Sequence, residues 1–135
     1  MRGALVVFLL LMTAPAQAAP PWLAGIWFGQ GQPHDKSEMW LARMAPNGDF
    51  RVQFRRCTGN KARDTIETGR WTLIGNIETI TINIVDGQFS PRQDTYTMLS
   101  HTAAKQTYRL DRTGFIYNSS RVSDSFRMPD CGLTS

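Results

Sequence analysis

The chain has 135 residues, 41% hydrophobic and 19% charged, with a formal charge of +4 at pH 7. A length of this order holds a single domain. So small a basic excess, 15 Lys and Arg against 11 Asp and Glu, lacks the dense cationic patterning of a nucleic-acid binder.

Residues 1–18 read as an export signal. Met1-Arg2 supplies a positive start, residues 4–12 form an apolar run, and Ala16-Gln17-Ala18 is a small-x-small step that predicts cleavage after Ala18. The run is shorter than the ~20 apolar residues that span a bilayer, and no cysteine follows the cleavage region to carry a lipid. The expectation is a mature domain of residues 19–135 with no transmembrane segment, periplasmic or secreted.

Strand signals dominate from there on. Gly25–Gln30 reads as a first strand, residues 30–37 as a polar loop and Glu38–Met44 as a second strand. Pro46-Asn47-Gly48-Asp49 is a turn, since proline presets one backbone angle and Asn-Gly accepts positive φ. Residues 50–57 alternate, Phe50, Val52 and Phe54 against Arg51, Gln53 and Arg55, which predicts a strand with one dry and one wet face. Residues 58–63 read as a charged loop and 65–73 as a strand broken by Gly75-Asn76. Ile77–Val85 is the strongest strand, with Ile80, Ile82 and Ile84 on one side and β-branched residues throughout. Asp86-Gly87 is a hairpin signal. Residues 94–99 and 106–110 are two more strands joined near His101, Asp111-Arg112-Thr113-Gly114 turns the chain, and 115–122 is the last strand. Residues 123–135 form a polar tail anchored by Cys131.

The fold class is therefore all-β: eight short strands with short connections, hence antiparallel neighbours. They predict an up-and-down barrel within residues 25–122, preferred over a two-sheet sandwich because sequential hairpins need no crossover. Cys57 and Cys131 are expected to pair in an oxidising compartment, which would contribute ~4 kcal/mol through loop closure; two free thiols are the alternative.

Bulky residues are expected to face the barrel axis, namely Trp40, Phe50, Phe54, Trp71, Ile80, Ile82, Tyr96, Met98, Tyr108, Leu110, Phe115 and Tyr117. Rings of this size favour a filled interior over an open one. Trp40, Phe54, Trp71, Tyr96, Tyr108 and Tyr117, with Trp27, would line any ligand site, the tyrosine hydroxyls orienting the ligand. Gly25 and Trp27 are placed as a structural plug at one end, with Arg121 over the indole. Arg51, Arg55, Arg56, Lys61, Arg63 and Arg70 lie on one predicted hairpin, as a surface basic patch for an anionic partner or as a solvated outer face. No catalytic constellation, cofactor motif or metal-ligand spacing is found. His34 and His101 read as exposed loop residues.

Gly25-Ile26-Trp27 opening the first strand, eight up-and-down strands and Arg121 closing the last resemble the lipocalins and the wider calycin group. Thr68-Gly69-Arg70-Trp71-Thr72-Leu73-Ile74-Gly75-Asn76 is similar to a strand of the compact bacterial lipocalin-like domains of unassigned function. The resemblance covers residues 25–122 and implies a barrel open at one end that binds a small apolar molecule. The expected function is a non-enzymatic exported barrel that binds a small apolar or amphipathic ligand, or an envelope accessory factor with a protein partner. The alternative is an inhibitor or interaction module acting through residues 19–23 or 30–37.

Overall fold

The computed structural model describes residues 22–31 and 37–132. The expected export signal and most of the first loop, His34 included, lie outside them. Eight strands run in chain order: β1 (Gly25–Gln30), β2 (Glu38–Met44), β3 (Asp49–Thr58), β4 (Lys61–Ile74), β5 (Ile77–Val85), β6 (Gln88–His101), β7 (Lys105–Leu110) and β8 (Ile116–Val122). Each pairs antiparallel with the next, and β8 returns to β1, so the sheet closes into an eight-stranded barrel. The closing seam is short. It rests on three register positions, Ile26 opposite Val122, Trp27 opposite Arg121 and Phe28 opposite Ser120.

The expected barrel is the observed one, with β1, β2 and β5 at their expected limits. Three readings are corrected. Residues 58–63 are not a loop: Thr58 pairs with Lys61 across a two-residue turn, and Lys61, Ala62 and Arg63 continue the ladder opposite β3. Polar residues hid this extension, because a strand that rises past the barrel wall needs no dry face. β6 likewise starts at Gln88, and β4 and β6 reach 14 residues each. Phe115 does not join β8 or the interior. It closes the preceding turn, where its carbonyl accepts from Leu110 N–H, and it is 38% exposed.

The lower half of the barrel is filled. Leu23, Trp27, Met44, Trp71, Ile80, Ile82 and Met98 form one buried cluster. The two indoles at its centre satisfy their N–H groups locally, Trp27 Nε1 on the Leu23 carbonyl at 2.9 Å and Trp71 Nε1 on the Ala45 carbonyl at 3.0 Å. That requirement for a partner holds for any buried indole N–H.

The tail is more than a polar end. Phe126 packs on Phe28, whose side chain points outward from β1, with ring centroids 4.8 Å apart. The Pro129 carbonyl accepts from Arg55 Nη1 at 3.0 Å. Cys131 then forms a disulfide with Cys57 near the end of β3. The outer face crossed in this way carries Ile26, Met39 and Leu41, all buried. Among the described residues, no helix is long and apolar enough to cross a membrane.

Candidate functional site

Strand alternation decides what reaches the axis. Gly29 and Trp40 are opposite each other, as are Trp40 and Phe54, Ala42 and Val52, and Tyr108 and Tyr117. Opposite residues share a face, and this face turns inward. Gly29 is the enabling position on β1, because a Cβ there would overlap the Trp40 ring. The absence of that side chain lets the indole lie flat against the wall.

Above the filled half these faces enclose a cavity of about 250 Å³. Trp27 and Met44 reach it from the core. Trp40, Phe54, Tyr96, Tyr108 and Tyr117 form its walls, and Glu38, Arg92 and Arg112 mark its mouth. Pockets that hold drug-sized ligands span roughly 300–1,000 Å³, so the space suits a smaller molecule. Six of the seven expected interior residues line it. Trp71 is the exception and belongs to the core beneath.

The aromatic walls brace one another. Trp40 meets Tyr117 edge-on at 5.9 Å, Tyr96 meets Tyr108 edge-on at 5.6 Å, and Tyr108 stacks on Tyr117 at 5.7 Å. Such pairs add about 0.5–1.5 kcal/mol beyond area burial. Burial pushes the hydroxyls of Tyr96, Tyr108 and Tyr117 above the ordinary tyrosine value, so they are neutral donors and acceptors at any ordinary pH.

The interior is more polar than the expected apolar and aromatic one. Glu67, Glu78, Gln106 and Ser119 are all buried. Glu67 binds Arg92 Nη2 at 2.7 Å. Arg92 Nε lies 3.5 Å from Asp94, which also meets Arg112 Nε at 3.1 Å. A chain of alternating charge, Glu67–Arg92–Asp94–Arg112, thus rims one side of the mouth. On the other side Glu38 binds Arg56 Nη2 at 2.9 Å.

Deeper inside, Glu78 is different. It sits opposite Tyr96 and is 8% exposed, and among the described residues no cation offsets its burial. Burial alone raises its carboxyl to about 8. Gln106 donates from Nε2 to Ser119 Oγ at 2.9 Å, while its Oε1 is buried with no hydrogen-bond partner among the described residues. Parity could have found these groups. Glu78 is two residues before Ile80, Asp94 two before Tyr96, and Gln106 two before Tyr108.

Arg121 lies over Trp27 at the end of the barrel where the two strands meet. Arg121 Cζ lies 4.4 Å from the Trp27 ring centroid, and its guanidinium donates to the carbonyls of Trp22, Ala24 and Ala103. Gly25, at φ 140°, leaves the space that Arg121 occupies, since a Cβ there would overlap the guanidinium. His101 is not a bare loop residue; its ring stacks on Trp22 at 3.7 Å.

The six cations do not form one patch. Arg51, Arg55 and Arg70 point outward, whereas Lys61, Arg63 and Arg56 share the inward register above the mouth. Arg55 is bound to Asp64 at 2.8 Å, and this bond holds the Asp64 carboxyl below its ordinary value. Arg70 is bound to Asp49 at 2.6 Å at the opposite end of the barrel. Alternation separates neighbouring arginines that a linear reading groups together.

Leu23 is fully buried in the core, so the N-terminal segment expected to enter a partner's cleft does not offer it; residues 19–21 and 32–36 lie outside the described residues. Among the described residues no group of three or more His, Cys, Asp and Glu side chains is placed to hold a metal ion. No family model matches the chain, and no curated protein or solved structure matches it either.

Proposed function

We propose that this protein is an exported, lipocalin-like binding barrel that carries or senses a small amphipathic molecule in the cavity above Trp27, without catalysing its conversion. The observation that carries this reading is the cavity of about 250 Å³ walled by Trp40, Phe54, Tyr96, Tyr108 and Tyr117. A barrel stabilised by packing alone gains from filling such a space, since voids cost dispersion contacts. Retained space lined by aromatic rings and a few polar groups fits reversible occupation by a ligand. Glu67, Arg92, Asp94 and Arg112 at the mouth are ion-paired with one another. Glu78 has no second carboxylate or histidine adjacent to it among the described residues, which favours binding over acid–base chemistry. The disulfide between Cys57 and Cys131 is compatible with an oxidising, exported location.

Native mass spectrometry of the disulfide-bonded protein tests the reading. Protein isolated from its own cells is expected to carry a bound small molecule in part of the population. Ala42→Phe, which places a ring in the cavity from β2, is expected to abolish that adduct while circular dichroism stays that of the parent. An adduct of equal abundance in the variant, or no adduct in either protein, would refute it.

A further inference from the structure

The walls of the cavity are aromatic, and among the described residues two of its buried polar groups lack a partner, Glu78 a cation and Gln106 Oε1 a hydrogen-bond donor. Glu78 is 8% exposed and Gln106 5% exposed. Both line the same cavity. The arginines that line the cavity bind Glu67 and Asp94 and not Glu78, Arg92 pairing with both and Arg112 with Asp94, and Gln106 Oε1 accepts no hydrogen bond among the described residues. The cavity therefore offers unused acceptors in its depth, and the arginines that line it are used; Lys61 and Arg63 stand above the mouth and outside its lining. A ligand that supplies donors and positive charge completes the depth, whereas an anion finds no free cation there.

We propose that the cavity selects a small organic ammonium compound, its N–H groups meeting the Glu78 carboxylate and Gln106 Oε1 and its cation lying among the rings of Trp40, Tyr96 and Tyr108. This rests on the ligand-binding reading above and narrows it to a chemical class. A buried carboxylate and a buried amide oxygen are costly without partners. The aromatic faces attract a desolvated cation through their negative π-faces. The volume limits the ligand to a single ring or a short chain.

The pairing also moves a proton. In the empty cavity at pH 7 burial keeps most of Glu78 protonated. An arriving ammonium group favours the carboxylate, so the proton leaves Glu78 for solvent and the ligand keeps its own.

Three matched probes test this on the intact, disulfide-bonded protein by isothermal titration calorimetry at pH 7: 2-phenylethylammonium, 2-phenylethanol and phenylacetate. The ammonium probe is expected to bind at least ~10-fold more tightly than the alcohol, with phenylacetate weakest. Binding of the ammonium probe is expected to release protons, seen as a dependence of the heat on the buffer's ionisation enthalpy, and the alcohol is expected to release none. Glu78→Gln is expected to remove the ammonium preference and the proton release while leaving alcohol affinity within about threefold. Alcohol or phenylacetate binding as tightly as the ammonium probe, or ammonium binding without proton release in the parent protein, overturns the ammonium assignment and leaves the binding barrel standing. Failure of all three probes to bind overturns both.

Discussion

Arg121, from the last strand, covers Trp27, from the first, with the guanidinium carbon 4.4 Å from the ring centroid. The same side chain donates to the carbonyls of Trp22, Ala24 and Ala103. It therefore ties the N-terminal segment, the β6–β7 turn and the barrel floor to one planar group. Arg121→Ala is expected to lower unfolding free energy by about 2–4 kcal/mol, the sum of orphaned carbonyls and a lost ring contact. Arg121→Lys should recover less than half, because an ammonium lacks the fork that reaches several carbonyls. Urea unfolding of the three proteins decides it; full recovery by lysine would assign the position to charge alone.

Glu78 predicts a pH dependence of stability. Its carboxyl rises from an ordinary 4.5 to about 8 on folding, so the folded state holds the proton more tightly than the unfolded chain. The associated stability is complete below about 4.5 and is lost as pH climbs through about 8. The groups around it do not offset this loss. Tyr96 and Tyr108 stay neutral, and Glu38, Arg92, Asp94 and Arg112 are paired at the mouth. The parent protein is expected to lose on the order of 3–5 kcal/mol from this group between pH 4.5 and pH 9. In Glu78→Gln that component should vanish. Denaturant melts at pH 5, 7 and 9 read it, and parallel profiles for the two proteins would contradict it.

The Glu67–Arg92 pair predicts an asymmetry. Glu67 is buried, while the Arg92 side chain is 48% exposed. Arg92→Ala leaves a carboxylate without its partner and should cost about 1–3 kcal/mol. Adding Glu67→Gln in that background should return at least half of the loss, since the amide carries no charge to strand. Thermal melts of the single and double variants provide the comparison.

Removing the disulfide should loosen the tail before it unfolds the barrel. With Cys57 and Cys131 both replaced by alanine, the loop closed over a separation of 74 residues is opened, and global stability should fall by ~4 kcal/mol. Limited proteolysis is expected to cut within residues 123–132 first, because among the described residues the Phe28–Phe126 contact and the Arg55 contacts with Pro129 and Asp130 are then left to hold that segment. First cleavage inside a barrel strand would assign the tail no separate role.

The architecture was legible because its signals are local. Alternation across Phe50, Val52 and Phe54, the isoleucines of β5 and the Asp86-Gly87 turn each specify a strand or hairpin within a few residues, and Asp86 does adopt positive φ. Consecutive hairpins then leave closure as the economical arrangement. The site was legible in its aromatic half only. Hydrophobic pattern is a signal of burial, so Trp40 and Tyr108 stood out, while Glu78 and Gln106 were passed over although they share those inward registers. The bounds of β4 and β6 were missed for the converse reason, because strand that projects beyond the barrel carries no hydrophobic pattern. The division of the arginines between two faces was recoverable from parity alone.

The three-position seam between β1 and β8 has a consequence for association. Tail and disulfide together strap β1 from outside and fasten the strap to β3. In a reducing environment that strap is unfastened, and the joint is left to its three paired positions and to Arg121. Only if that joint then opened would it present two backbone edges able to template pairing with a second molecule, so the oxidised thiols add a second fastening at the cylinder's shortest seam.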